Sequence, residues 1–286
     1  TGRGFYKASL SEPISCIINA FQACFHNEDN GHVHKMGIKE NGKVLIVGGC
    51  GPMGLGAIAY ALVCPQHPSQ IAVSDIDPDR IERARRVLPE QKAEEKGIEL
   101  NYVNVRDTED PAKLYSELSG GQGFDDVFVL APETDAAQHA AQALGADGCL
   151  HFFAGPQQSE FIVPVNLYDV HYNTTHYVGT SGGTKEDMKQ ALELFADDQI
   201  DPAVMVSHIG GLDAVIETTK QLPALPGAKK LIYPHIQMPL TAIEDLKTLA
   251  QDNALFAALA QSVQEHNGLW NEQAERILLE QYGVNI

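Results

Sequence analysis

Short apolar runs alternate along the chain with longer stretches whose apolar residues recur at helical spacing. The runs predict six strands, at residues 44–47, 71–74, 98–105, 126–131, 148–155 and 177–180. The longer stretches predict helices at residues 55–63, 77–88, 110–118, 134–144 and 185–195. Strands that alternate with helices favour an α/β fold, namely a doubly wound parallel sheet with helices on both faces.

The segments on either side of this alternation have a different pattern. Residues 11–21 read as a helix, and residues 27–34 are polar and predict a loop. From about Asp201 onwards the pattern predicts strands at residues 205–209 and 229–234, and helices at residues 212–222, 241–266 and 271–282. We therefore expect three segments, at residues 1–40, 41–200 and 201–286.

Residues 43–75 combine a strand, a glycine turn, a helix, a second strand and an acidic residue. Gly49, Gly51 and Gly54 have the spacing G-x-G-x-x-G directly after the first strand, with Pro52 and Met53 inside the turn. This order of elements within about thirty residues is typical of a dinucleotide-binding domain. The alternative is an α/β domain that kept the turn without the ligand.

Each part of this motif has a task in binding a dinucleotide. The glycines permit the tight turn, the approach of a pyrophosphate and close packing of helix on strand, and the helix N-terminus attracts the phosphates. Asp75, at the end of the second strand, is placed to accept hydrogen bonds from the adenosine ribose. Its charge would repel a 2′-phosphate and favours NAD over NADP. Ile76 is expected to flank the adenine, and Arg80 nearby keeps NADP possible.

Composition limits the choice of partners and of compartment. The 286 residues carry a net charge of −18 with an isoelectric point near 4.9, which argues against nucleic acid or an anionic membrane as a partner. No apolar run reaches the length of a membrane span. The five cysteines form no C-x-x-C pair, so a four-cysteine zinc lobe is not expected. We expect free thiols in a reducing, cytoplasmic setting.

The order of these motifs resembles the medium-chain, zinc-dependent alcohol and polyol dehydrogenase family. Four stretches carry the resemblance and cover about residues 5–236: Glu12-Pro13-x-Ser15, residues 44–75, residues 124–129 with the later Gly145-x-x-Gly148, and residues 207–209 with residues 227–233. Within the family, residues 179–184, 208–213 and 226–233 are most similar to the sugar-phosphate and sorbitol-type branch, in particular L-sorbose-1-phosphate reductase-like proteins.

The resemblance implies a nicotinamide-dependent oxidoreductase that acts on a polyol or a sugar phosphate and forms a homo-oligomer. Residues 41–200 would be its dinucleotide-binding Rossmann domain, and residues 1–40 and 201–286 would belong to a catalytic domain. Zinc would polarise the substrate oxygen while hydride passes to or from C4 of the nicotinamide. The family's other zinc ligands come from an amino-terminal GroES-like domain that we expect to be missing here, so this chain alone is not expected to hold the metal.

The expected site residues come from the resemblance and from strand ends. Glu12 resembles the family's acid near the catalytic zinc, as a metal ligand or as the group that orients the metal-bound water; the alternative is a glutamate favoured by a helix N-terminus. Lys230 resembles the basic residue near the pyrophosphate. Carboxyl ends of strands, where open α/β sheets place ligands, contribute Ala131, Phe153, Ala154, Gly155, Gly179, Thr180 and Ser181.

Two other functions stay open from the sequence. A non-catalytic NAD(H)-binding module, such as a redox sensor, would carry no catalytic zinc. A zinc-free quinone-reductase-type enzyme would not need a carboxylate at Glu12, so the Glu12-Pro13 motif argues against it.

Overall fold

A computed structural model describes residues 4–28, 31–222 and 224–284, and the chain divides into two compact units. The large unit comprises residues 11–194, and the small unit comprises residues 1–10 together with residues 195–286. Each unit has a sheet of its own. The boundaries expected at residues 40 and 200 stay a prediction about domains.

The large unit is built on a six-stranded parallel sheet. Its strands, together with a two-stranded hairpin, are β1 (Phe25–Glu28), β2 (Val33–Met36), β3 (Lys43–Val47), β4 (Gln70–Asp75), β5 (Glu99–Asn104), β6 (Phe124–Val129), β7 (Leu144–Phe152) and β8 (His176–Val178). The sheet has the order β5-β4-β3-β6-β7-β8, and every neighbouring pair is parallel. The order reverses at β3, which makes the sheet doubly wound as expected.

Helices flank this sheet, and other helices belong to the small unit. In chain order they are α1 (Phe5–Ser9), α2 (Ser11–Ala23), α3 (Pro52–Ala61), α4 (Pro78–Val87), α5 (Glu90–Glu94), α6 (Pro111–Leu118), α7 (Thr134–Gln142), α8 (Leu167–Tyr172), α9 (Lys185–Ala196), α10 (Val215–Gln221), α11 (Leu246–Leu249), α12 (Ala254–Glu265) and α13 (Glu272–Gln281). Among the described residues, no helix is both long enough and apolar enough to cross a membrane.

Alternation along β6 explains why both faces of the sheet are covered. Val127 and Val129 pack in a buried cluster with alanines of α7 and with Tyr115 of α6. Phe128 points to the other face, where its ring stacks on Phe21 of α2 at 4.3 Å. Successive strand residues point to opposite faces, so one apolar strand supplies both layers of the core.

The small unit has a three-stranded sheet of β9 (Val206–Gly211), β10 (Lys229–Tyr233) and β11 (Thr241–Ala242). Strands β9 and β10 are parallel, and β11 runs antiparallel to β9. Trp270 lies in the core of this unit, where its side chain is fully buried. Its indole N–H donates to the Tyr233 hydroxyl, which donates to the buried carboxylate of Glu275.

Two expectations about secondary structure are wrong. Residues 27–34 are not a loop, because β1 and β2 form an antiparallel hairpin with Asn27 opposite His34 (residues 29 and 30 lie outside the described residues). Residues 241–266 are not one helix. The Asn253 side chain accepts hydrogen bonds from the backbone N–H groups of Leu255 and Phe256 and starts α12 as a new helix.

Candidate dinucleotide site

The glycine turn joins β3 to α3 at the carboxyl edge of the parallel sheet. Gly48 lies in the left-handed region with a φ of 71°, and the N–H groups of Gly48 and Gly49 both donate to the Ser74 carbonyl at 2.8 and 3.0 Å. The Ser74 hydroxyl is in turn 2.8 Å from the buried Tyr115 hydroxyl. The turn is therefore anchored to β4, whose last residue is the predicted ribose acceptor.

The three motif glycines differ in what surrounds them. A Cβ atom on Gly49 would stand 2.6 Å from a methyl of Val73, and one on Gly54 would stand 2.5 Å from the Cα of Gly49 and closer still to its carbonyl. A Cβ atom on Gly51 would meet only the carbonyl oxygen of Gly48, at 3.9 Å. Packing within the protein thus requires two of the glycines, whereas the space above Gly51 is open for a ligand.

The first turn of α3 presents backbone donors next to this open space. Gly51 is the N-cap residue, and since it has no side chain, the cap makes no side-chain hydrogen bond. Pro52 occupies the first helical position, where its missing N–H costs nothing. The N–H groups that follow, beginning at Met53, and the positive end of the helix dipole favour an anion such as a pyrophosphate.

Asp75 is built into the glycine turn. Its Oδ2 accepts from the backbone N–H of Cys50 at 3.0 Å, and its Oδ1 accepts from the N–H groups of Ile76 and Asp77 at 2.8 and 3.2 Å. The side chain is 5% exposed. A carboxylate has about four acceptor positions, so one on Oδ2 is left for a ribose hydroxyl.

The residues after Asp75 start α4 and lie beside it. Ile76 is about half exposed, which suits a residue that would lie against an adenine ring. Asp77 caps α4 by accepting from the N–H groups of Asp79 and Arg80. The Arg80 guanidinium is also 3.5 Å from the Asp77 carboxylate, and both side chains are largely exposed. Arg80 is therefore held near the ribose acceptor but is not buried in a fixed pairing.

The residues expected after β6 and β7 do come together with the turn. A Cβ atom on Gly48 would stand 2.8 Å from the Cβ of Ala131, so the end of β6 lies against the glycine turn. The N–H groups of Phe153 and Ala154 both donate to the Val129 carbonyl at 2.9 Å. Gly155 follows, with nothing within 4 Å of the position of a Cβ atom. These residues border one edge of the sheet.

The loop after β8 reaches the same edge. A Cβ atom on Gly179 would be 3.2 Å from the Phe152 carbonyl, and the Thr180 hydroxyl is 3.2 Å from Nε2 of His151. His151 is fully buried, and burial lowers its pKa to about 4, so its ring is neutral at pH 7. Ser181 comes next in the loop and is exposed.

Glu12 lies in the first turn of α2, which packs against this loop. A Cβ atom on Gly183 would stand 2.5 Å from the backbone and hydroxyl of Ser15, and the Ser15 hydroxyl donates to the Glu12 carbonyl. The Glu12 side chain is exposed, and its Oε1 is 3.3 Å from Sγ of Cys16. The structure thus brings Glu12 near the loop that contains Thr180 without joining it to another carboxylate or histidine.

The family model for zinc-binding dehydrogenases matches residues 52–197, which is about half of the chain. The chain belongs to the zinc-binding dehydrogenase family. Relatives extend the match over its whole length. YggP of Escherichia coli K12 is 49% identical over 100% of the chain and 67% of the relative. Mannitol-1-phosphate 5-dehydrogenase of Aliivibrio fischeri is 47% identical over the same shares. L-sorbose 1-phosphate reductase of Klebsiella pneumoniae is 42% identical over 97% of the chain and 64% of the relative.

Solved structures support the fold of this chain. 2R,3R-butanediol dehydrogenase of Bacillus subtilis aligns with a TM-score of 0.63 and 19% identity, over 82% of this chain and 59% of that one. A protein of Sinorhizobium meliloti 1021, described as a zinc-binding dehydrogenase and solved with NADP, aligns with a TM-score of 0.61 and 19% identity, over 79% and 58%. The chain therefore spans well under two thirds of these structures and about two thirds of the curated relatives.

The residues of this chain do not fit a catalytic zinc on their own. Glu12 belongs to no group of three described side chains whose histidine, cysteine or carboxylate ligand atoms converge. A catalytic zinc needs three protein ligands and an open position, so one exposed carboxylate cannot complete it.

Lys230 lies in β10 of the small unit, where its ammonium group donates to the carbonyls of Pro226 and Ala228 at 2.6 and 2.8 Å.

One buried polar group of the large unit was not predicted from the sequence. Cys24, Asp126 and Cys149 converge inside the large unit with their ligand atoms within 4.8 Å of one another. The three residues come from segments far apart in sequence, and each alone reads as an ordinary strand or helix-end residue. Only the register of β6 on β7, which places Asp126 beside Cys149, could have indicated the group.

Proposed function

We propose that this chain binds NAD(H) for a zinc-type dehydrogenase or reductase that acts on a polyol or a sugar phosphate. The open space above Gly51, beside the backbone donors that begin α3, is the observation that carries the proposal. The names of two relatives, a mannitol-1-phosphate 5-dehydrogenase and an L-sorbose 1-phosphate reductase, support the substrate class. The nicotinamide supplies hydride chemistry when it is bound.

The proposal assigns roles to this chain's own residues. The N–H groups at the start of α3 hold the pyrophosphate, and Asp75 accepts from the adenosine ribose while Ile76 flanks the adenine. The residues bordering the carboxyl edge of the sheet exclude water from the nicotinamide and orient it: Ala131, Phe153, Ala154, Gly155, Gly179, Thr180 and Ser181. Glu12 acts at the catalytic metal of a zinc-type enzyme.

NAD is preferred over NADP because of Asp75. Its carboxylate is fixed by three backbone N–H groups and cannot turn away from an incoming 2′-phosphate without breaking them. Arg80 is the feature that would favour NADP, and the Sinorhizobium meliloti relative in structure was solved with NADP. Asp75 disfavours a 2′-phosphate and Arg80 favours one. The preference can therefore be measured as the difference between the affinities for NADH and NADPH.

Fluorescence titration of the chain with NADH and NADPH tests the proposal. We expect NADH to bind more tightly, and absence of binding by either dinucleotide would overturn the central assignment. In Asp75→Asn, NADH should bind about tenfold more weakly, since a hydrogen bond to a charged group contributes about 1.5 kcal/mol or more. NADPH should be affected less. Asp79→Asn, an exposed position in the helix that follows Asp75, is the matched control. Equal losses of both dinucleotides in Asp75→Asn would refute the ribose role.

A form of the protein that includes the zinc ligands of the family separates the remaining alternatives. We expect about one catalytic zinc per chain and reduction of NAD by mannitol 1-phosphate or oxidation of NADH by L-sorbose 1-phosphate. A sensor module would bind NADH without catalytic zinc or turnover. A quinone-reductase-type enzyme would oxidise NADPH with quinones and would be indifferent to Glu12→Gln.

A further inference from the structure

Three buried side chains of the large unit meet at a place that the cofactor does not use. Cys24 follows the end of α2, Asp126 lies in β6 and Cys149 lies in β7. Each of the three is fully buried, and their sulfur and carboxylate atoms all lie within 4.8 Å of one another. Asp126 and Cys149 are register partners on adjacent parallel strands, so their side chains point to the same face.

His26, in β1, lies beside Asp126 but outside the set of atoms that are all within 4.8 Å of one another, so its ring must move closer to the sulfur atoms when a metal binds. Its Nε2 is 3.1 Å from Oδ1 of Asp126, and its Nδ1 is 2.9 Å from the backbone carbonyl of Asp147. A carbonyl oxygen can only accept, so Nδ1 carries a proton. Nε2 then faces a carboxylate oxygen, and two acceptors cannot face each other there unless a second proton lies between them. The proton between Nε2 of His26 and Oδ1 of Asp126 is one that a bound cation can replace.

Asp126 and His26 each make a second hydrogen bond of the kind that metal ligands commonly make. Oδ2 of Asp126 accepts from the backbone N–H of Lys39 at 2.9 Å, which leaves Oδ1 facing the group. Histidines that bind metals usually donate the other ring N–H to a carbonyl or carboxylate, as His26 does to Asp147. Ligand nitrogen and oxygen atoms at about 2.0–2.1 Å from a tetrahedral zinc are about 3.3 Å apart, which is close to the 3.1 Å between His26 and Asp126.

We propose that Cys24, Cys149, Asp126 and His26 form a buried site for a divalent metal of the zinc class. Two thiolates and an imidazole select zinc or a similar transition metal, whereas magnesium and calcium prefer oxygen ligands alone. Binding replaces two thiol protons and the proton of the His26–Asp126 pair, so three protons leave for each metal that enters. The metal ties the end of α2 and the start of β1 to strands β6 and β7.

This site is separate from the catalytic zinc expected of the family. Glu12 and Cys24 are twelve residues apart at opposite ends of α2, which is about 18 Å along a helix. Asp126 lies three residues before the end of β6 and pairs with Val44 near the start of β3, whereas the glycine turn follows the end of β3. A metal here would act on stability and not on the substrate.

Cobalt(II) loading of the 286-residue chain tests the proposal, with the metal supplied during refolding because the group is buried. We expect about one cobalt per chain and a thiolate-to-cobalt charge-transfer band together with the visible bands of a tetrahedral site. Cys24→Ala and Cys149→Ala should each lower metal binding at least about tenfold. Cys64→Ala is the matched control, because Cys64 is also buried but hydrogen-bonds to Gln66 instead. Glu12→Gln should leave the band unchanged, which keeps this result distinct from the catalytic zinc.

Measurements on the unaltered chain decide the matter if a cysteine variant does not fold. Release of about three protons per cobalt and a rise in the melting temperature would support the site. No thiolate band, or a band that is lost equally in Cys64→Ala, would overturn it. Non-reducing mass spectrometry that shows a Cys24–Cys149 disulfide, or a metal-free chain with unchanged stability after cobalt exposure, would overturn it as well.

Discussion

Adding one methyl group at Gly51 or at Gly54 should separate cofactor binding from folding. The backbone at Gly51 has φ −75° and ψ 174°, a conformation open to every L-residue. A methyl there would meet only the Gly48 carbonyl oxygen, at 3.9 Å. Gly51→Ala should therefore fold as well as the parent, or be more stable by about 0.4–1 kcal/mol because its unfolded chain has fewer conformations.

Its affinity for NADH should nevertheless fall. The methyl would occupy the space through which a phosphate oxygen approaches the N–H groups at the start of α3. Loss of one charge-assisted hydrogen bond costs about 1.5–3 kcal/mol, which is about a 10- to 150-fold increase in Kd. Fluorescence titration measures that change, and thermal unfolding followed by circular dichroism confirms the intact fold.

Gly54→Ala should do the opposite to stability. Its methyl would stand 2.5 Å from the Cα of Gly49, and since the obstacle is backbone, no side chain can rotate away. Overpacking of this kind costs about 3 kcal/mol, which lowers the melting temperature of a unit of this size by about 6–12 °C. Unchanged NADH affinity in Gly51→Ala would refute the proposed phosphate position. Equal losses of stability in the two variants would refute the distinction between packing and ligand space.

Two further predictions concern buried ionisable groups. The pKa of His151 is about 4 in the folded chain and about 6.5 in the unfolded chain, so between these pH values only the unfolded state binds the extra proton. The free energy of unfolding should therefore fall by about 3 kcal/mol as the pH drops from 6.5 to 4. In urea titrations His151→Gln should show a shallower loss over this range, and an identical slope would contradict the prediction. Glu275→Ala should lower the free energy of unfolding by about 3–5 kcal/mol, because it leaves the Tyr233 hydroxyl and two backbone N–H groups without their buried acceptor. In the same urea titration, the control Glu280→Ala at an exposed position should change it by less than about 0.5 kcal/mol.

The parallel sheet and the glycine turn could be predicted because their constraints are local. The apolar run of β3, the glycine spacing and the acid at the end of β4 lie within one continuous stretch, and each residue type follows from its backbone neighbourhood. The ends of β6 and β7 could be placed for the same reason, since parallel strands end at the same edge of a sheet. The alternation of strands and helices predicted the doubly wound parallel sheet.

The hairpin of β1 and β2 could not be predicted because its support lies far away in the chain. Residues such as His26 and Asn27 are polar and resemble a loop, yet Asn27 bonds the Asp147 carboxylate, which is 120 residues further on. The prediction of one long helix at residues 241–266 was wrong because of a local signal. Its apolar spacing persists, but Asn253 offers a local cap that starts a new helix.

Strands β6 and β7 connect the two sites proposed for this chain, and their geometry shows why the sites can be tested independently. Asp126 is three residues before the end of β6, and a strand rises about 3.3 Å per residue, so the buried group lies about 10 Å or more from the edge where Ala131 meets the glycine turn. Changes at that separation usually add within about 0.3–0.5 kcal/mol. A cysteine variant that loses its metal should therefore keep its NADH affinity within about twofold. Retained NADH binding then shows that the sheet is intact, and the lost metal can be attributed to the missing ligand.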